Sequence, residues 1–136
     1  MHPLRKLRES DRPTPAEIEE ILAEDVVFNS PVWTKPVVGR QAVAVTIANS
    51  SKNRGDGAYV AEHRIDVSTT FLRWQGTIEG HKFESLELLV DNKEGLLVER
   101  TIAYRPFPSL KIFRDRMKSA MQDSVPADMW DWPDQS

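Results

Sequence analysis

The residues best equipped for chemistry lie in two neighbouring strand-like stretches near the C-terminal half of the chain. In the second, Val98, Arg100, Ile102 and Tyr104 alternate with Glu99, Thr101, Ala103 and Arg105. A strand sends alternate side chains to opposite faces. The apolar members mark the first set as inward, which carries Arg100 and Tyr104 inside with Ile102. The first stretch holds Glu84 and Glu87, three apart and therefore on opposite faces. A carboxyl enclosed by apolar groups can move a proton near neutral pH, because burial disfavours its charged form. An arginine beside it could polarise a carbonyl or hold an anionic group. The structural alternative is an ion pair, Arg100 neutralising a buried glutamate that would be costly alone.

Which glutamate faces inward depends on the turn before it. In the preceding strand Leu72, Trp74, Gly76 and Ile78 share one face. A four-residue loop at 79–82 pairs Ile78 with Phe83 and Trp74 with Glu87. A three-residue loop instead sets Glu84 opposite Gly76, and a one-residue slip swaps the faces. The four-residue loop keeps Phe83 buried, so Glu87 is the favoured interior acid. Ser85 then shares its face.

Other candidates are weaker. His63 is the one histidine of three that falls inside a predicted strand. It could assist a proton transfer if its strand turns it inward, or be an ordinary core or surface histidine. Asn29 could donate to a ligand oxygen or hold a turn before Pro31. Trp33 and Trp74 could stack on a planar ligand or simply fill a core. No metal or cofactor is expected: zinc needs three or four converging ligands, and no glycine-rich phosphate loop is present.

The elements that must position these groups read as α+β. A short helix is predicted over 3–10. Thr14-Pro15-Ala16-Glu17 opens a second, running to about Ala23, with a capping box and proline at its first position. A short strand follows at 26–28, then a helix over about 40–49, apolar almost all round. Residues 50–57 read as a loop. Strands at 58–67, 69–78, 82–91 and 96–105 form an antiparallel meander. Leu110, Phe113, Met117 and Met121 give a last helix over about 109–121. One domain over 1–125 is expected, with an acidic tail, 126–136, carrying Trp130 and Trp132. Helices set into a bent sheet would make a cone-shaped barrel enclosing an apolar small-molecule pocket.

Composition narrows the function classes. The 136 residues suit one domain. A net charge of −3 with scattered basic residues argues against a nucleic-acid partner. Arg5-Lys6-Leu7-Arg8 is the densest basic cluster and reads as a solvated helix face. There is no apolar run long enough to span a membrane. The absence of cysteine and of an apolar leader suits a cytoplasmic protein.

Several stretches resemble SnoaL-like domains of the nuclear transport factor 2-like superfamily, which includes ketosteroid isomerase and limonene epoxide hydrolase. They are Ala23-Glu-Asp-Val-Val-Phe-Asn-Ser-Pro-Val-Trp with Pro36-Val-Val-Gly-Arg-Gln-Ala-Val, then Gly76-Thr-Ile-Glu-Gly-His-Lys-Phe-Glu-Ser-Leu-Glu-Leu-Leu-Val-Asp, and Ala103-Tyr-Arg-Pro before an amphipathic helix. The resemblance spans roughly residues 4–121 and implies a cone-shaped α+β barrel, commonly a homodimer pairing sheet against sheet. The isomerases' general-base position falls on Ser30, and their oxyanion-stabilising acid on Glu87. The epoxide hydrolases' Arg-x-Asp is matched in shape by Arg64-Ile65-Asp66, one strand early, while Ile102 stands at their second aspartate. Polyketide cyclases of the group use a pocket acid, which Glu87 or Glu84 could supply with help from His63. The resemblance thus implies cofactor-independent acid/base isomerisation, cyclisation or dehydration of a small apolar oxygenated molecule, polyketide- or terpenoid-like. The alternative is a module of the same fold that binds a ligand or dimerises without catalysis. Epoxide hydrolysis fits less well.

Overall fold

A computed structural model of the chain describes residues 1–133. Five helices accompany one curved, six-stranded, mixed sheet that does not close. Helix α1 (Pro3–Glu9) starts where the His2 ring accepts from the Leu4 amide, with Pro3 at the first position. Helix α2 (Pro15–Glu19) has the capping box, Thr14 and Glu17 each satisfying the other's backbone. It stops well before Ala23. Leu22 opens strand β1 (Leu22–Asn29) and lies opposite Leu97, so sheet pairing overrides the helical spacing of Ile18, Ile21 and Leu22.

Strand β2 (Val37–Val38) is short and leads into α3 (Arg40–Asn53). The helix continues through the stretch read as a loop. The side chains of Ser50, Ser51 and Asn53 bond back to carbonyls of Ile47, Ile47 and Asn49 and so are spent within the helix. Strands β3 (Asp56–Arg64), β4 (Thr69–Ile78), β5 (His81–Asp91) and β6 (Leu97–Arg105) form the meander. The sheet order is β2-β1-β6-β5-β4-β3, and β1 runs parallel to β6, so the sheet is mixed rather than wholly antiparallel.

The β4–β5 turn has two residues rather than four. Glu79 and Gly80 both take positive φ, at 48° and 82°, as a tight hairpin of the primed kind requires. Ile78 therefore pairs with His81, Gly76 with Phe83, Trp74 with Ser85 and Leu72 with Glu87. The shift from the expected register is two residues, so every side chain keeps its face. Glu87 points inward and Glu84 outward.

Bending shows in β3 and β4. The register slips between Tyr59 and Ala61, as a bulge does where a strand turns. The Trp74 indole lies across Gly57 and Gly76; a Cβ at Gly57 would meet Cζ2 of that ring at 2.5 Å. Helix α4 (Phe107–Met121) packs on β4, β5 and β6, burying Phe113, Met117 and Met121. The tail folds back: α5 (Ala127–Trp130) sets the Trp130 ring edge-on to Trp33 at 5.6 Å. The Thr34 amide donates to the Met129 carbonyl at 2.8 Å. Tail residues 134–136 lie outside the described residues. Among the described residues no helix is long and apolar enough to cross a membrane.

Candidate functional site

The concave side of the sheet is filled rather than hollow. Phe83 stacks on Tyr104 at 4.6 Å, and Phe113 tilts against both at 5.8 and 5.0 Å. Trp74 meets Phe83 edge-on at 6.0 Å. The small enclosed cavity beside this cluster measures about 10 Å3, room for roughly one water-sized atom. Its lining includes Ser30, Thr46, Ser50, Arg100, Ile102 and Tyr104. In place of the apolar small-molecule pocket that the sequence predicts, Trp74 and Tyr104, with Phe83 and Phe113, pack the volume.

Charge is concentrated here. Glu87 lies opposite Ile102 and Arg100 opposite Leu89, a diagonal pair across β5 and β6. The Arg100 guanidinium donates to Glu87 Oε2 at 2.8 Å, and each side chain is 1 % exposed. Arg100 also sits over the Phe28 ring, 4.8 Å from its centroid. The pair is not saturated. Glu87 Oε1 and Arg100 Nε and Nη1 are buried without a hydrogen-bond partner in the protein.

Two more arginines enter the same interior. Arg8 is 5 % exposed; its Nη1 donates to Ser50 Oγ at 3.0 Å, while Nε and Nη2 are buried without a partner. Arg54, 6 % exposed, lies over the rings of Trp74 and Tyr59 at 4.7 and 5.3 Å. Burial lowers the Arg54 pKa, and the like charge of Arg8 lowers it further. Burial also pulls on Arg8, but Tyr59, Tyr104 and Glu87 outweigh it and leave its pKa raised. Among the described residues neither Arg8 nor Arg54 forms an ion pair, and Glu87 is the one buried carboxylate beside three buried guanidinium groups.

Sequence reasoning missed Arg8 and Arg54. Arg8 was read as part of a solvated face and Arg54 as part of a loop. The signal was spacing: Leu4 and Arg8, and likewise Ser50 and Arg54, are four apart and share a helix face with a buried residue.

The other expected site residues divide. Trp74, Ser85, Ile102 and Tyr104 are buried on the inner side. Asn29 is not: its Nδ2 donates to Thr101 Oγ1 on the outer face at 2.9 Å. Strand alternation puts Phe28 in and Asn29 out. Trp33 sits half-buried under the tail, against Trp130. His63 is exposed, stacked on Phe71 at 6.4 Å. It faces away from Glu87 and cannot assist it. Ser30 borders the cavity, and its Oγ accepts from the Val32 amide at 3.2 Å. Among the described residues no three His, Cys, Asp or Glu side chains gather as metal ligands would.

No family model matches the sequence, and no curated protein matches it. Solved structures do. A bacterial protein with a cystatin-like fold from Silicibacter pomeroyi superposes with a TM-score of 0.81 at 23% identity, over 91% of this chain and 89% of that one. A steroid delta-isomerase from Pseudomonas aeruginosa gives 0.77 at 20% identity, over 90% and 86%. A protein of the SnoaL-like family from Agrobacterium tumefaciens gives 0.53 at 14% identity, over 68% and 80%. The chain has the nuclear transport factor 2-like fold of SnoaL type.

Proposed function

We propose that the interior around Glu87 and Arg100 is a cofactor-independent acid/base site acting on a small oxygenated molecule by isomerisation, cyclisation or dehydration. The observation that carries this reading is the incompletely satisfied buried pair. A pair kept only for stability would gain from filling its remaining hydrogen-bond sites. Here Glu87 Oε1 and two Arg100 nitrogens stay without protein partners, and Arg100 borders a water-sized space. Glu87 Oε1 would take a proton from carbon and return it to the rearranged molecule, or pass it to a departing hydroxyl. Arg100 would stabilise the negative charge that develops on the substrate oxygen. A neighbour in the fold named as an isomerase supports the reaction class.

The test is deuterium exchange into a panel of small ketones and enones, including a β,γ-unsaturated ketosteroid, followed by proton NMR. Exchange should be accelerated, and Glu87→Gln should slow it by about 10²–10⁴-fold. Ligands that bind without exchange would leave the rival reading, a binding module, which the serine at position 30 favours.

The same proposal includes a homodimer paired through the outer sheet face. Leu86 and Leu88 are each 43% exposed on the central strand β5. Leu88→Asp should then halve the sedimenting mass, whereas an unchanged monomer mass in both proteins would remove the dimer.

A further inference from the structure

The interior charge does not balance. Three arginines and one glutamate are buried among the described residues, an excess of two positive charges. Isolated buried charges are expensive, and proteins normally pair them. Hydrogen-bonding capacity points the same way. The unpartnered buried atoms of Arg8 and Arg100 are four donors, against one acceptor atom on Glu87. Of the hydroxyls nearby, Thr46 Oγ1 donates to the Ala42 carbonyl and Ser50 Oγ to that of Ile47, while Tyr104 helps to hold the Arg8 charge. The cavity bordered by Arg100, Thr46 and Ser50 is thus a place for one acceptor atom beside the Arg100 guanidinium.

We infer that this interior recognises a carboxylate-bearing ligand, one carboxylate oxygen seated in the cavity on Arg100, with Arg8 behind Ser50 supplying further positive charge. The inference rests on the reading of the interior as a ligand site and names the class of molecule it takes. Charge-assisted bonds from a guanidinium to a carboxylate are among the strongest a protein makes. Pro31 points to where the rest of the molecule goes. It borders both this cavity and an outer groove of about 460 Å3, lined by Val32, Trp33, Leu110 and Trp130 among others. An apolar chain running out past Pro31 would lie against these side chains.

The test uses the whole chain and four probes: hexanoate, its neutral isostere hexanamide, formate and chloride, followed by calorimetric titration and thermal shift. Hexanoate should bind and raise the melting temperature. Hexanamide should bind at least about tenfold more weakly, because it lacks the charge the arginines require. Formate should be weaker than hexanoate, because it leaves the groove unused. Arg8→Met should weaken hexanoate at least about tenfold, and Glu84→Gln on the outer face should leave it unchanged. Equal binding of acid and amide would overturn the inference, as would no binding of either. Chloride and formate binding as well as hexanoate would reduce the site to one for small ions and also overturn it. Should Arg8→Met fail to fold, acid against amide on the unmodified protein decides alone. Hexanoate binding without any deuterium exchange into the ketone panel would sink the acid/base reading and leave this one standing.

Discussion

Glu84 and Glu87 sit three residues apart on one strand, and each is tied to arginine on β6. Glu84 lies on the outer face, bridged by Arg105 at 2.6 Å and Arg73 at 2.8 Å, with Gln75 at 3.4 Å. Its arginines are 68% and 43% exposed, so water serves whatever the carboxylate does not. Glu87 lies on the inner face, held by Arg100 alone, and neither partner sees water. The same two residue types thus build a saturated, solvated network on one side of the sheet and an unsaturated, dry one on the other. Solvent screens the first kind, so each of its exposed pairs is worth little to stability. The second kind is costly while its buried donors and acceptor lack partners, and that cost is what points to a ligand.

The comparison can be broken by mutation, and the largest effect belongs to the inner face. Arg100→Met strands Glu87 as a buried carboxylate, and denaturant unfolding should show a loss of about 3–5 kcal/mol. Replacing both partners, Glu87→Met with Arg100→Met, should cost much less than Arg100→Met alone, because neither member of the pair is left without the other. Equal losses in the single and double variants would contradict the pairing.

Packing around Trp74 is next. Gly76→Ala drives a methyl into the indole, 2.6 Å from its Cη2, and into the Asp56 carbonyl. Overpacking of this kind should cost about 1–3 kcal/mol in the same assay. A neutral result would mean that the ring can move aside.

The smallest effect belongs to the outer face. Arg105, then Arg73, holds the Glu84 carboxyl down at about 2, from an ordinary 4.5. A depressed folded-state pKa gives stability that is fully present above the unfolded value and is lost as pH falls toward the folded one. Glu84→Gln should therefore cost no more than about 1 kcal/mol at pH 7. The gap between it and the unmodified protein should shrink between about pH 4.5 and 2. A gap that stayed constant over that range would show that Glu84 acts by shape rather than charge.

Much of the fold was legible because alternation survives errors of register. The turn at Glu79 and Gly80 is two residues shorter than expected, yet Trp74, Phe83, Ser85 and Glu87 keep their face because the error is even. The parallel pairing of β1 with β6 was not legible, since neither strand carries its partner's direction in its own pattern. The site was half legible. Glu87, Arg100 and Tyr104 followed from period-two spacing, whereas Arg8 and Arg54 did not follow from residue type, because arginines are seldom buried. Asn29 and His63 were placed by chemical interest against the alternation, and the alternation prevailed.

The central claim is that the interior carries positive charge held in reserve for a ligand, and Arg54, whose charged form burial and then Arg8 disfavour, tests it most directly. Thermal unfolding of Arg54→Met against the unmodified protein, without ligand, should show a melting temperature that is unchanged or raised by a few degrees, because removing an unneutralised buried cation relieves the interior. A fall of about 5 °C or more would contradict the account, because it would make Arg54 a satisfied structural residue whose stacking on Trp74 and Tyr59 already balances it.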